Sequence, residues 1–62
     1  MSRYVIQLDE DQWLVYDPYS STPLRPIHSQ AQSDHWVSRL TAEEMLDMIK
    51  PLYPDAKVVK IN

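Results

Sequence analysis

Aromatic and branched side chains are concentrated in two short segments near the start of the chain. Residues 4–8 and 13–16 carry them, and an acidic stretch at residues 9–12 separates the two segments. Such composition favours β-strands, and acidic residues are common in the turns between strands. The pattern predicts a β-hairpin. Because its turn has no glycine, we expect a four-residue loop built on a type I turn that starts at Asp9, rather than a two-residue type I′ loop.

A helical period of apolar residues follows in the second half of the chain. Thr41 and Glu44 have the spacing of a capping box, and Leu40 and Met45 have that of a hydrophobic staple. These pairs predict a helix whose N-cap is Thr41. The side chains expected to face the core are Ala42, Met45, Leu46, Ile49, Leu52 and Tyr53.

Proline decides where this helix ends. Proline has no N–H and crowds the preceding turn, at a cost of about 3 kcal/mol inside a helix. The helix therefore either bends at Pro51 or ends near Lys50. Residues 56–61 predict a last strand, and lysines such as those it carries are typical of the edge of a sheet.

The pattern is weakest between the hairpin and the helix. Residues 17–33 contain three prolines, and their apolar residues follow neither the helical nor the strand period. This predicts a long loop. Residues 35–39 are too few to separate a strand from a helical turn, and we favour a strand. Trp13 and Trp36 are expected to fill the space between sheet and helix.

The order of these elements is β-β-loop-β-α-β. It predicts an α+β fold: a three- or four-stranded, mainly antiparallel sheet with one amphipathic helix packed on one face. The 62 residues are enough for a single domain spanning 1–62, and a chain of this size buries only about 60% of its unfolded surface. We therefore expect one small core of limited stability.

Composition excludes several kinds of chemistry from our expectation. The chain has no cysteine, hence no disulfide and no thiolate, and no glycine, which phosphate-binding and dinucleotide-binding loops require. His28 and His35 are seven residues apart, too far to share one metal on a helix. We predict no catalytic residue, no metal and no cofactor, and we do not expect an enzyme. With no leader or membrane span in the sequence, we expect a cytoplasmic protein.

Charge and exposure suggest a binding function instead. Glu43, Glu44 and Asp47 are expected on the outer face of the helix, Tyr19 in the long loop, and Arg25 in its Pro-x-x-Pro segment. These five are the candidate partner-binding residues. Carboxylates on an exposed face favour a basic protein partner. The leading hypothesis is a small acidic interaction module that binds, and regulates or inhibits, a larger intracellular protein.

Two other classes of function remain open at this point. The first is a homo-oligomeric structural module, such as a homodimer, in which a strand edge or the hairpin face completes its core in a second copy. The second is a weak nucleic-acid binder that uses Arg3, Lys57 and Lys60. Nucleic acid is the less favoured partner, because six basic and nine acidic residues give a net charge of −3.

Overall fold

A computed structural model describes residues 2–61 of the chain and confirms the predicted α+β class. The sheet has four antiparallel strands in the order β3-β2-β1-β4, and the helix packs against β1 and β4. The elements are β1 (Tyr4–Asp9), β2 (Gln12–Tyr16), β3 (Leu24–Ile27), α1 (Arg39–Ile49) and β4 (Lys57–Lys60).

The first hairpin forms where the sequence predicts it. Its turn begins at Asp9, which pairs with Gln12, and the Asp9 carboxylate accepts a hydrogen bond of 2.6 Å from the backbone N–H of Glu10. No residue from 2 to 61 has a positive φ. Type I′, II and II′ turns need a positive φ, so the turn is compatible with type I, as expected. The predicted loop length of four residues is wrong: Asp9 and Gln12 pair as parts of the strands, and only Glu10 and Asp11 lie between them.

The long loop predicted for residues 17–33 is wrong, because β3 lies inside it. In β3, Pro26 stands opposite Leu14 and Arg25 opposite Val15. The carbonyl of Leu14 accepts a hydrogen bond from Asp34, on the side away from β3. The backbone of Pro26 must therefore face the free edge, where a missing N–H breaks no bond of the sheet. This edge position is why a strand can contain the proline.

The strand predicted at residues 35–39 is also wrong. Of this segment only Trp36 pairs with a strand, through an isolated bridge to Tyr4, and α1 already begins at Arg39. The N-cap is Ser38 rather than Thr41: the Ser38 hydroxyl accepts a hydrogen bond of 3.4 Å from the N–H of Thr41. Serine and threonine are both favoured N-cap residues. The capping box and the hydrophobic staple are centred on Thr41, and they therefore favoured the wrong one of the two.

The helix ends before its proline, which confirms the alternative of an end near Lys50. The last helical residue is Ile49, and Lys50 is the C-cap. Turns carry the chain through Pro51 to β4, which forms one edge of the sheet as predicted.

The core lies between the sheet and α1. Its buried side chains are Ile6, Leu8, Leu14, Ile49 and Ala56. Trp36 packs against this cluster, as expected. The expectation for Trp13 is wrong: it precedes the buried Leu14 in β2, and neighbouring residues of a strand face opposite sides of the sheet. Trp13 therefore faces away from α1.

A short segment closes the sheet where β1 and β2 no longer pair. The N–H of Asp34 donates to Leu14 in β2 over 3.1 Å, and its carboxylate accepts from the N–H of Tyr16 over 2.6 Å. Two residues later, Trp36 exchanges two backbone hydrogen bonds of 2.8 Å with Tyr4 in β1. We call residues 34–36 the bridging segment, because it joins both strands.

Candidate functional site

The three predicted acidic residues share the outward side of α1. Glu43, Glu44 and Asp47 are all exposed, while Ala42 and Ile49 are fully buried on the inward side. This division follows from the helical period of 3.6 residues. The prediction that these carboxylates form one exposed face of the helix is thus confirmed in geometry; their role in binding stays a prediction.

The ion pairing on this helix leaves most of its negative charge free. Arg39 approaches Glu43 over 3.4 Å at the i, i+4 spacing, and both side chains are at least half exposed. Exposed pairs of this kind contribute only about 0.3–0.5 kcal/mol. Among residues 2–61, neither Glu44 nor Asp47 has a cationic group within 4.0 Å. Their carboxylates are available to a partner.

The other two candidates lie elsewhere on the molecule. Tyr19 is 97% exposed in the turn between β2 and β3. Arg25 stands opposite Val15, which follows the core residue Leu14 in β2. Because neighbouring residues of a strand face opposite sides of the sheet, Val15 and Arg25 lie on the face away from α1. The structure therefore does not bring the five predicted residues together, and only the three on α1 form one surface.

Sequence reasoning missed the apolar part of the same surface. Large hydrophobic side chains are mostly exposed just before α1, on it and just after it: Val37 at 69%, Leu40 at 70%, Met48 at 59% and Leu52 at 69%. Leu40, Glu44 and Met48 follow one another at intervals of four residues, so they lie along one side of the helix. We call Leu40, Met48 and the three carboxylates the outer face of α1.

The reason for the omission lies in the start of the helix. With Thr41 as N-cap, Leu40 falls outside the helix as part of a staple. With Ser38 as N-cap, it belongs to the first turn and points away from Ile49. The signal was present in the sequence, because a helical wheel that begins at Arg39 puts Leu40 opposite the buried stripe. Leu52 was assigned to the core, but the helix ends before it.

Each histidine has a ring nitrogen close to a backbone carbonyl oxygen. The Nδ1 atom of His28 lies 2.8 Å from the carbonyl oxygen of Asp11, and the Nε2 atom of His35 lies 3.2 Å from that of Gln30. Within residues 2–61, no three His, Asp or Glu side chains are arranged to hold a metal ion. The described part of the chain also has no helix that is long and apolar enough to cross a bilayer.

A small open cleft lies between the hairpin turn and the start of β4. It is lined by Gln7, Asp9, Glu10, Asp55 and Lys57. Four of these five side chains are charged and the fifth is an amide, whereas small-molecule sites are mostly apolar and enclosed. The cleft therefore lacks the apolar, enclosed character of a small-molecule site.

Comparisons of the chain with models of protein families, with curated proteins and with solved structures find no match.

Proposed function

We propose that this chain is a small protein-interaction module that docks on a larger protein through the outer face of α1. The observation that carries the proposal is the exposure of Leu40 and Met48, on one side of a helix that also presents Glu43, Glu44 and Asp47. The module has no chemistry of its own in this proposal. It regulates or inhibits its partner by covering part of the partner's surface.

The apolar and acidic parts of the surface have different roles. Burying a leucine or methionine side chain against a partner contributes roughly 1.5–3 kcal/mol, so Leu40 and Met48 supply affinity. The carboxylates speed association with a positively charged surface and disfavour an acidic one. The partner that fits is a basic protein with an apolar groove wide enough for one side of a helix.

Affinity purification tests the proposal. Tagged protein from its native cells is compared with a Leu40→Ser, Met48→Ser double variant, and co-eluting proteins are identified. We expect one protein to be lost with the double variant. Glu43→Lys with Asp47→Lys should weaken the same complex and reduce its sensitivity to salt, because the steering charges are reversed.

Tyr19→Ser is the matched control, because Tyr19 is an exposed aromatic residue in the turn between β2 and β3, outside α1. It should leave the complex intact. Loss of the partner in Tyr19→Ser and retention in the double variant would contradict the proposal and move the site to the turn between β2 and β3.

The competing proposal is a homodimer formed by the same apolar side chains. Glu44 lies midway between Leu40 and Met48, so two antiparallel copies of α1 would bring their Glu44 carboxylates together, which is unfavourable. Light scattering over a range of concentrations separates the two. A constant monomer mass supports docking on a different protein, and a mass that doubles with concentration supports the homodimer.

A further inference from the structure

The two edges of the sheet differ in their backbone. At the β3 edge the outward positions are Leu24 and Pro26, and Pro26 has no N–H. At the β4 edge, the N–H of Ile61 donates to Arg3 over 3.0 Å, whereas Tyr4, opposite Lys60, bonds to Trp36 on the other side. Because backbone groups alternate along an antiparallel pair, Lys60 must direct its N–H and C=O to the free edge.

The backbone N–H and C=O of Val58, two residues before Lys60, also point to the free edge. The β4 edge thus presents two N–H groups and two C=O groups in the spacing of a strand, with no partner strand beyond them in residues 2–61. Unpaired groups in this arrangement are a template for an added strand.

The same edge concentrates unpaired positive charge. Lys57 and Lys60 are exposed at the two ends of β4, and Arg3 is exposed next to it, opposite Ile61. None of the three has a carboxylate within 4.0 Å among the described residues, although the cleft beside Lys57 is lined by Asp9, Glu10 and Asp55. Arg3, Lys57 and Lys60 thus place three positive charges along this edge of a protein whose net charge is −3.

The order of side chains in β4 defines the segment that would fit. Lys57 and Val59 lie on one face of the sheet, and Val58 and Lys60 on the other. A strand paired with β4 is stabilised if acidic residues stand opposite the lysines and apolar residues opposite the valines. The matching order is acidic, apolar, apolar, acidic, and it reads the same in both chain directions.

We infer that the β4 edge binds an extended segment of another protein with this order, as a fifth strand of the sheet. A second copy of the chain fits less well, since it would bring two further lysines and a further arginine to the junction. Nucleic acid is attracted by the same charges but does not supply the alternating donors and acceptors of a peptide backbone. The inference concerns a surface other than the outer face of α1 and does not depend on it.

Amide hydrogen exchange of the full chain, measured by NMR, tests the inference. Two short synthetic peptides are added separately; they are identical except that one contains Glu-Val-Val-Glu and the other Lys-Val-Val-Lys. With the acidic peptide at ten times its Kd, exchange at Val58 and Lys60 should slow by about tenfold. Val59, which already pairs with Val5, is the internal reference and should change little. The basic peptide should have no effect.

Two variants sharpen the result. Lys57→Glu with Lys60→Glu should reverse the preference between the peptides. Val58→Pro removes an outward N–H, as Pro26 does on β3, and should weaken binding of the acidic peptide while a thermal melt shows that the chain still folds.

Four results would overturn the inference. The first is unchanged amide exchange at Val58 and Lys60 with millimolar acidic peptide, and the second is equal slowing of this exchange by both peptides. The third is slow exchange in a peptide-free sample whose molecular mass has doubled. The fourth is slowing of the exchange by a short oligothymidylate, where added salt abolishes the effect. The third assigns the edge to a second copy, and the fourth assigns it to nucleic acid.

Discussion

Asp34 shows how one side chain can complete a sheet. Its carboxylate accepts a hydrogen bond of 2.6 Å from the backbone of Tyr16, and its own N–H donates to Leu14. Both partners belong to β2, at the point where β2 no longer pairs with β1. A partly buried N–H without an acceptor is costly, so Asp34 supplies an acceptor that no neighbouring strand provides.

Replacing Asp34 with alanine should therefore destabilise the fold. We expect the free energy of unfolding to fall by about 1.5–3 kcal/mol, the usual range for a hydrogen bond to a charged group. Asp34→Asn retains an acceptor oxygen and should cost less. Urea denaturation measures both, with Asp47→Ala on the exposed side of α1 as control, expected to change stability by no more than about 0.5 kcal/mol. Equal losses in Asp34→Ala and Asp47→Ala would refute this role.

At the scale of elements, the sequence predicted those with strong local patterns. The hairpin, the helix and the last strand were found because their apolar residues recur with a clear period over several positions. The sequence does not predict β3 because a proline such as Pro26 is compatible with a strand only at an outward-facing position of an edge strand. Which strand lies at the edge depends on how the whole sheet is assembled, and a local pattern does not show this. Residues 35–39 were misassigned because five residues are compatible with either period.

The candidate surface was predictable to a similar extent. The carboxylates of α1 were found from the helical period alone. The apolar part of the surface was not found, because the exposure of Leu40 depends on whether the N-cap is Ser38 or Thr41. The bonds of Asp34 could not have been predicted, since they depend on the place where two strands stop pairing.

Two substitutions test the observed helix boundary. Ser38→Ala should lower the free energy of unfolding by about 1 kcal/mol, because it leaves an N–H of the first turn without its acceptor. Thr41→Ala should have little effect or a small stabilising one, since Thr41 is inside α1, where alanine is the better helix former. Thermal or urea unfolding followed by circular dichroism compares them. A larger loss in Thr41→Ala would restore Thr41 as the N-cap.

At the scale of the whole molecule, a small core supports two chemically different surfaces. The described buried hydrophobic residues are few: Val5, Ile6, Leu8, Leu14, Ala42, Ile49 and Ala56. The outer face of α1 is acidic and apolar, and the β4 edge carries the positive charges of Arg3, Lys57 and Lys60. A chain of this size has little stability to lose, so substitutions at these surfaces are informative only if they leave the core intact.

Ile49 and Leu52 provide the contrast that tests this division. Ile49 is fully buried and belongs to the core cluster, whereas Leu52 is 69% exposed. Ile49→Ala should cost roughly 2–5 kcal/mol and lower the melting temperature by at least about 10 °C. Leu52→Ala should change stability by less than about 0.5 kcal/mol. Similar melting temperatures for the two variants would contradict the assignment of the core.

The bridging segment has a consequence for the kinetics of folding. A hairpin normally zips from its turn through contacts between near neighbours, but Tyr16 obtains its acceptor from a residue 18 positions later in the chain. Loop closure over that length carries an entropic cost that a local turn avoids, and long-range contacts slow folding. We therefore expect the strands of the first hairpin to start forming early and to be consolidated only when residues 34–36 join them. Such a late step would couple the hairpin to the helix that follows, and we expect the two halves of this small chain to fold as one cooperative unit.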